Sequence, residues 1–153
     1  MRKFFLSALL TFSYALAQPI VGEGDNLTYE KDKVIYTGNV KLSRGNALLT
    51  ADKVILYLDE SRKAKLMEAE GKVRYVEGNR RASADKVVYD LKSDVITLIG
   101  RARVEEGQNF VEAEEIVYYR KENRAIAIGK GSRVRSFYVE EKDEKDILNR
   151  KSQ

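Results

Sequence analysis

The chain has 153 residues, of which 43% are hydrophobic and 34% charged, with one Pro and no Trp. That length holds one domain or at most two, and the balance describes a folded, heavily charged domain with an apolar interior. With no Cys and no His, thiol and imidazole catalysis, Ser/His/Asp triads and Cys/His zinc sites are all excluded.

The chain opens with the three parts of a secretory signal peptide. Arg2 and Lys3 precede an apolar run at 4–12, and Ala15-Leu16-Ala17 supplies an A-x-A cleavage site. From Phe4 to Ala17 is 14 residues, short of the roughly 20 that a spanning helix needs. No Cys follows the cleavage site to carry a lipid anchor. Residues 1–17 are therefore read as a signal peptide and 18–139 as the folded domain, in an exported chain. Without Arg2 and Lys3 there are 26 basic and 24 acidic residues, too small a surplus for a nucleic-acid partner. An exported domain without Cys must be stabilised by packed sheet and not by disulfides.

The domain is a fourfold repeat. Four segments begin Gly24-Asp25-Asn26-Leu27-Thr28-Tyr29, Ala51-Asp52-Lys53-Val54-Ile55-Leu56, Ala84-Asp85-Lys86-Val87-Val88-Tyr89 and Ala113-Glu114-Glu115-Ile116-Val117-Tyr118. Each is followed by a glycine, at 38, 71, 100 and 129. Seven residues on stands a second, at 45, 78 and 107, with Ser136 in the fourth place. Asn46 and Asn79 follow two of these second glycines and Gln108 the third, which is turn chemistry.

Between the glycines the pattern has period two and is rich in Val, Ile, Tyr and Thr, as in Val34–Thr37, Val73–Tyr75 and Ala102–Val104. No stretch keeps a helical period. The expected fold is all-β: an antiparallel β-jelly roll of twelve to sixteen short strands, favoured over a parallel β-helix by the hairpin-type turns. In repeat register, Leu27/Val54/Val87/Ile116 and Tyr29/Leu56/Tyr89/Tyr118 form the inward columns. Leu58 and Leu91 extend that face where the other repeats carry Lys31 and Arg120. Residues 140–153 hold only Ile147 and Leu148 as apolar side chains and read as a charged tail outside the sheet.

The export signal, the Tyr36-Thr37-Gly38-Asn39-Val40 strand start and the repeated Ala-Asp-Lys-Val at 51–54 and 84–87 resemble the LptA/OstA-like family of periplasmic lipopolysaccharide-transport bridge proteins. The likeness runs over roughly 19–139. It implies an open, twisted jelly roll whose apolar groove carries lipid A acyl chains. It also implies head-to-tail stacking with like-folded inner-membrane and outer-membrane partners, and a periplasmic location. Carried across, the family's lipid-lining positions fall on Ile20, Tyr75 (or its neighbour Val76), Tyr89 and Leu91. With the inward columns, the expected lipid-binding set is Ile20, Leu27, Tyr29, Val54, Leu56, Tyr75, Val87, Tyr89, Leu91, Ile116 and Tyr118. The likeness weakens in the fourth repeat, where Ile126 and Ile128 take the opposite parity to Met67 and Ala69 and Gly131 replaces the Val or Ala of the other repeats.

Other readings of the same residues are weaker. The acid in each repeat (Asp25, Asp52, Asp85, Glu114) lacks the spacing of a calcium β-roll and fits turn hydrogen bonding. Glu105-Glu106 and Glu140-Glu141 are adjacent, so on a strand they point to opposite faces and cannot act as a hydrolytic pair. No catalytic residue, metal site or cofactor is expected, and no phosphate-binding loop is present to couple energy. Lys41, Lys72, Arg74, Arg101 and Arg103 are expected on a solvated outer face, paired with acids such as Glu68, Glu70, Glu105 and Glu106. The rival reading is a structural β-repeat protein that self-assembles through its sheet edges with a closed interior.

Overall fold

In the computed structural model, which describes residues 19–139, the period-two runs become strands and every regular element is β. The signal peptide assigned to 1–17 and the tail at 140–153 lie outside the described residues. The strands are β1 (Val21–Glu23), β2 (Asn26–Tyr29), β3 (Lys33–Arg44), β4 (Ala47–Leu58), β5 (Ala64–Glu77), β6 (Arg80–Asp90), β7 (Val95–Glu106), β8 (Asn109–Tyr119), β9 (Arg124–Ile128) and β10 (Arg135–Phe137). They form one antiparallel sheet in which β3 to β8 follow one another as a meander. At one edge β1 and β2 both pair with β3, and at the other β9 and β10 both pair with β8.

Among the described residues there are ten strands in place of the twelve to sixteen expected, because the first glycine of each of the first three repeats bends a strand without ending it. Gly38, Gly71 and Gly100 have φ of +78°, +85° and +82°, and Asn39, Lys72 and Arg101 after them have +48°, +48° and +47°. Two successive left-handed residues insert a bulge: 38–39 face Asp52, 71–72 face Asp85 and 100–101 face Glu114. A bulge keeps the ladder on both sides while turning its direction, so the long strands each contribute to two limbs.

One limb contains the halves of β3 to β8 that lie between β2 and β9; the other contains the halves between β1 and β10. The line of bulges is the crease between them. At the sheet's two edges the crease becomes a break. The chain leaves the ladder at 24–25, where the Asp25 amide donates to the Gly38 carbonyl (2.8 Å), and again at 129–132, where the Ser132 amide donates to Gly129 (3.0 Å). In β9 the inward places opposite Ile116 and Tyr118 go to Ala127 and Ala125, so Ile126 and Ile128 lie on the outer face, opposite Val117 and Glu115.

The second glycines close hairpins, as their sequence suggests. Gly45, Gly78 and Gly107 occupy the first position of two-residue turns with φ of +58°, +60° and +59°, the place where a type II′ turn requires glycine. These turns set the register of each hairpin, and the pleat then sends alternate side chains to one face.

The two limbs share their apolar face. Val40, Ala51, Val73, Ala84, Ala102 and Ala113 on one limb cluster with Val54, Ala69, Val87, Leu98 and Ile116 on the other. Val40, Val54 and Val73 are the largest side chains fully shut from solvent, and burying each contributes roughly 1.5–3 kcal/mol. The Tyr36 side chain leaves the β2–β9 limb and lies over Gly22 on the other, where a β-carbon would meet its hydroxyl oxygen at 2.7 Å. The sheet is therefore a roll folded on its crease, and the half-buried inward side chains between the limbs mark a candidate trough.

Candidate functional site

Cross-strand pairing arranges the inward side chains in rows that traverse the whole sheet. In the β2–β9 limb the row nearer the crease is Leu27, Tyr36, Val54, Ala69, Val87, Leu98, Ile116 and Ala127. The next row is Tyr29, Val34, Leu56, Met67, Tyr89, Ile96, Tyr118 and Ala125. In the facing limb Leu42, Leu49, Tyr75, Ala82, Val104 and Val111 make a third. No charged residue interrupts these rows.

The expected residues fall into three environments within this arrangement. Val54, Val87, Ile116 and Tyr118 are buried and act as the trough floor. Leu56, Tyr75 and Tyr89 are half-buried and line it. Leu27 and Tyr29 end their rows on edge strand β2, where no further strand covers them, and are 51% and 68% exposed. Ile20 precedes β1 and is exposed, and Leu91 is exposed just past the end of β6. Tyr75 and not Val76 faces inward: Tyr75 pairs with Leu49 and Ala82, whereas Val76 pairs with Leu48 and Arg81 on the outer side.

Repeat alignment alone missed the alternate members of each row. Tyr36, Met67 and Leu98 lie between aligned residues because each repeat is a hairpin and contributes two strands to every row. The Gly-Asn turns carried the signal: a two-residue loop at 45–46 pairs Arg44 with Ala47 and hence Leu42 with Leu49.

One end of the trough is polar. At the end of β8, Arg120 points inward with its side chain 4% exposed and its Nη1 3.2 Å from Asp94 Oδ1. Nη1 also donates to the Tyr89 hydroxyl, and that hydroxyl donates to Asp94 Oδ1 at 2.8 Å. Burial, and then the hydrogen bond to Asp94, push the Tyr89 hydroxyl up to about 12. Burial, followed by a 2.6 Å bond to Glu77, raises Tyr75 as well, while Arg120 acts in the opposite sense from the facing limb. Tyr118 completes the group through Asn123 (3.1 Å).

The outer-face cations do not crowd one another. Arg74 lies between Thr50 and Ser83, and Arg103 between Ser83 and Glu112, with Glu105 also 3.6 Å from its Nη2. Arg101 makes a forked contact with Asp85, and Lys86 meets Glu68 at 3.7 Å. Intervening strands supply neutral or acidic neighbours, which is why the like charges tolerate one face.

The sheet ends are apolar and open. Exposed Val21, Leu27 and Tyr29 lie on the β1–β2 edge, and Ile126, Ile128 and Phe137 on the β9–β10 edge. Ring stacking of Phe137 on Phe110 (centroids 5.7 Å apart) and the Val139 amide's bond to Asn109 Oδ1 (2.7 Å) hold the short β10 in place.

Comparisons with a family profile and with solved structures both find similar proteins. The sequence profile of a family described as "LptA/(LptD N-terminal domain) LPS transport protein" matches residues 19–124. The crystal structure of LptH from Pseudomonas aeruginosa superposes with a TM-score of 0.68 at 22% identity, covering 80% of this chain and 96% of that one. LptH is described there as the LptA-homologous periplasmic component of the conserved lipopolysaccharide transport device. At that identity the superposition shows the fold, and it agrees with the expected jelly roll. No curated protein matches the sequence.

Proposed function

The chain belongs to the LptA/LptD N-terminal-domain family of lipopolysaccharide transport proteins, and from that premise we propose that it is an exported, non-enzymatic carrier of the acyl chains of lipopolysaccharide in the periplasm. The observation that carries the reading is the unbroken pair of inward rows, which run from Leu27 and Tyr29 to Ala127 and Ala125 and meet no charge on the way. A closed core would end on covered residues; these rows end on exposed ones at the β2 edge. Leu56, Tyr75 and Tyr89 line the trough over a floor of Val54, Val87, Ile116 and Tyr118, and burying acyl methylenes there supplies the affinity. Ile20 and Leu91 extend the contact at the rims.

The same reading makes the two open edges docking surfaces. The β1–β2 and β9–β10 edges differ, so copies or like-folded partners add head to tail and the rows continue from one to the next. Such a path bridges the inner and outer membranes, with an external motor giving direction. Cleavage after Ala17 frees the chain from the membrane, and the mass of the exported protein checks it.

The test uses residues 18–153 with a photo-crosslinking side chain at inward Leu56 or at outward Arg74, incubated with lipopolysaccharide. Adduct at 56 and none at 74 is the expected result. Failure at both positions in a protein that still forms concentration-dependent stacks would replace the carrier with a purely structural β-repeat protein.

A further inference from the structure

The buried cation at the end of the trough has a place that leucine fills in the second and third repeats and exposed Lys31 in the first. Arg120 follows Tyr118 by two residues as Leu58 follows Leu56 and Leu91 follows Tyr89. A leucine would continue the apolar wall at no electrostatic cost. A guanidinium here must be taken out of water, and a buried ion pair of this kind is commonly no more stabilising than an apolar side chain of similar size. Stability is therefore a poor reason for Arg120, and its position suggests recognition.

The two partners of the ion pair are held differently. Arg120 directly follows the last residue of β8, its amide bonded to the Asp94 carbonyl (3.1 Å), and its side chain is almost wholly enclosed. Asp94 is in the turn before β7 at φ +61°, and its side chain is 19% exposed. Asp94 can swing its carboxylate to water by rotating about its side-chain bonds. Arg120 cannot reach water without leaving the trough. The cation is the fixed member and the anion position the exchangeable one, and the Tyr89 hydroxyl is placed to donate to whichever anion occupies it. A planar fork beside a hydroxyl donor suits the oxygens of a phosphate.

We propose that Arg120 reads an acidic, phosphate-type head group on the amphiphile whose acyl chains occupy the trough, and that the Asp94 carboxylate holds that anion position when the trough is empty. This rests on the carrier reading above. It makes Arg120 a specificity-determining residue: acyl burial gives affinity, and the guanidinium selects for charge and fixes which end of the amphiphile lies at the β8 rim.

The experiment measures binding of two probes to residues 18–153: lipid A with its phosphates, and the same lipid A after complete dephosphorylation. The wild-type protein is expected to prefer the phosphorylated form by about tenfold or more, the scale of one charge-assisted hydrogen-bonding contact. Arg120→Gln is expected to reduce that preference to about twofold or less while binding the dephosphorylated lipid as before. Asp94→Asn removes the competing carboxylate and is expected to tighten the phosphorylated lipid alone, by about threefold or more. An ion pair that only braces the fold predicts the reverse sign, with both lipids weakened together by Asp94→Asn. That result overturns the proposal, as does an unchanged preference in Arg120→Gln. Should Arg120→Gln not fold, Asp94→Asn decides alone. Equal binding of both lipids by the wild-type protein removes the head-group assignment and leaves the carrier, whereas binding of neither removes the carrier reading itself.

Discussion

The carboxylate of Asp85 lies directly over the α-carbon of Gly100: a β-carbon built on that glycine would stand 2.5 Å from Oδ2. Asp52 covers Gly71, and Asp25 covers Gly38, in the same way. The residue after each glycine sits in the bulge, and two of them reach back to the acid, Arg101 to Asp85 (2.7 Å) and Asn39 to Asp25 (3.1 Å). The repeated Asp and the repeated Gly are thus one device, 15 residues apart in the last case, that places the crease.

Gly100→Ala follows directly from that contact. It forces an L side chain into φ +82° and drives a methyl into the Asp85 carboxylate, so a loss of about 2 kcal/mol in urea denaturation is expected. Adding Asp85→Ala is expected to recover part of the loss, because it removes the collision and leaves the backbone strain. Arg101→Ala should leave the midpoint nearly unchanged, since its side chain is 83% exposed.

Floor and lining should separate by mutation. Val54→Ala empties space at a residue 1% exposed and is expected to cost roughly 2 kcal/mol. Leu56→Ala, at a half-buried position two residues on, should cost about half that and reduce lipid capture more than stability. Equal losses of stability with no change in capture would identify Leu56 as plain core.

Alkaline pH provides an independent check on the Tyr89 cluster. Burial and the hydrogen bond to Asp94 raise this hydroxyl from its ordinary 10 to about 12. The folded state therefore holds the proton more tightly than the unfolded one. The resulting stabilisation is full below pH 10 and is lost as pH rises toward 12. Tyr75 is shifted in the same direction by burial and Glu77. Thermal melts from pH 9 to 12 should show a falling midpoint that is shallower in Tyr89→Phe.

Strand β10 should be a local unit. Phe137→Ala removes the ring stacked on Phe110, leaving β10 with its short ladder to β8, the Arg135–Glu112 contact at 3.7 Å and the Val139–Asn109 bond. Faster amide exchange confined to residues 134–139, at an unchanged global midpoint, is the expected pattern. Melting of β8 along with β10 would show that the edge is needed for the core.

The repeat, its turns and its inward columns were legible in the chain because each depends on local chemistry. Gly45 and Asn46 specify a hairpin within two residues, and Val54 and Leu56 share a face by strand parity alone. Tyr75 could be separated from Val76 only through its register with Leu49 and Ala82, which is set across strands. The alternate row members Tyr36, Met67 and Leu98 were hidden for the same reason.

The amino-acid sequence by itself determined an all-β repeat chain and which side chains of its repeated motif turn inward, since these follow from spacing and a two-residue period. Only the tertiary structure decided that Gly38, Gly71 and Gly100 bend long strands in place of separating short ones. The choice between bending and ending a strand is made by Asp25, Asp52 and Asp85 closing over glycines on the neighbouring strand. Only the tertiary structure brought Arg120 against Tyr89 and Asp94, because contact between residues 31 and 26 positions apart depends on how three strands stack and leaves no trace in local pattern.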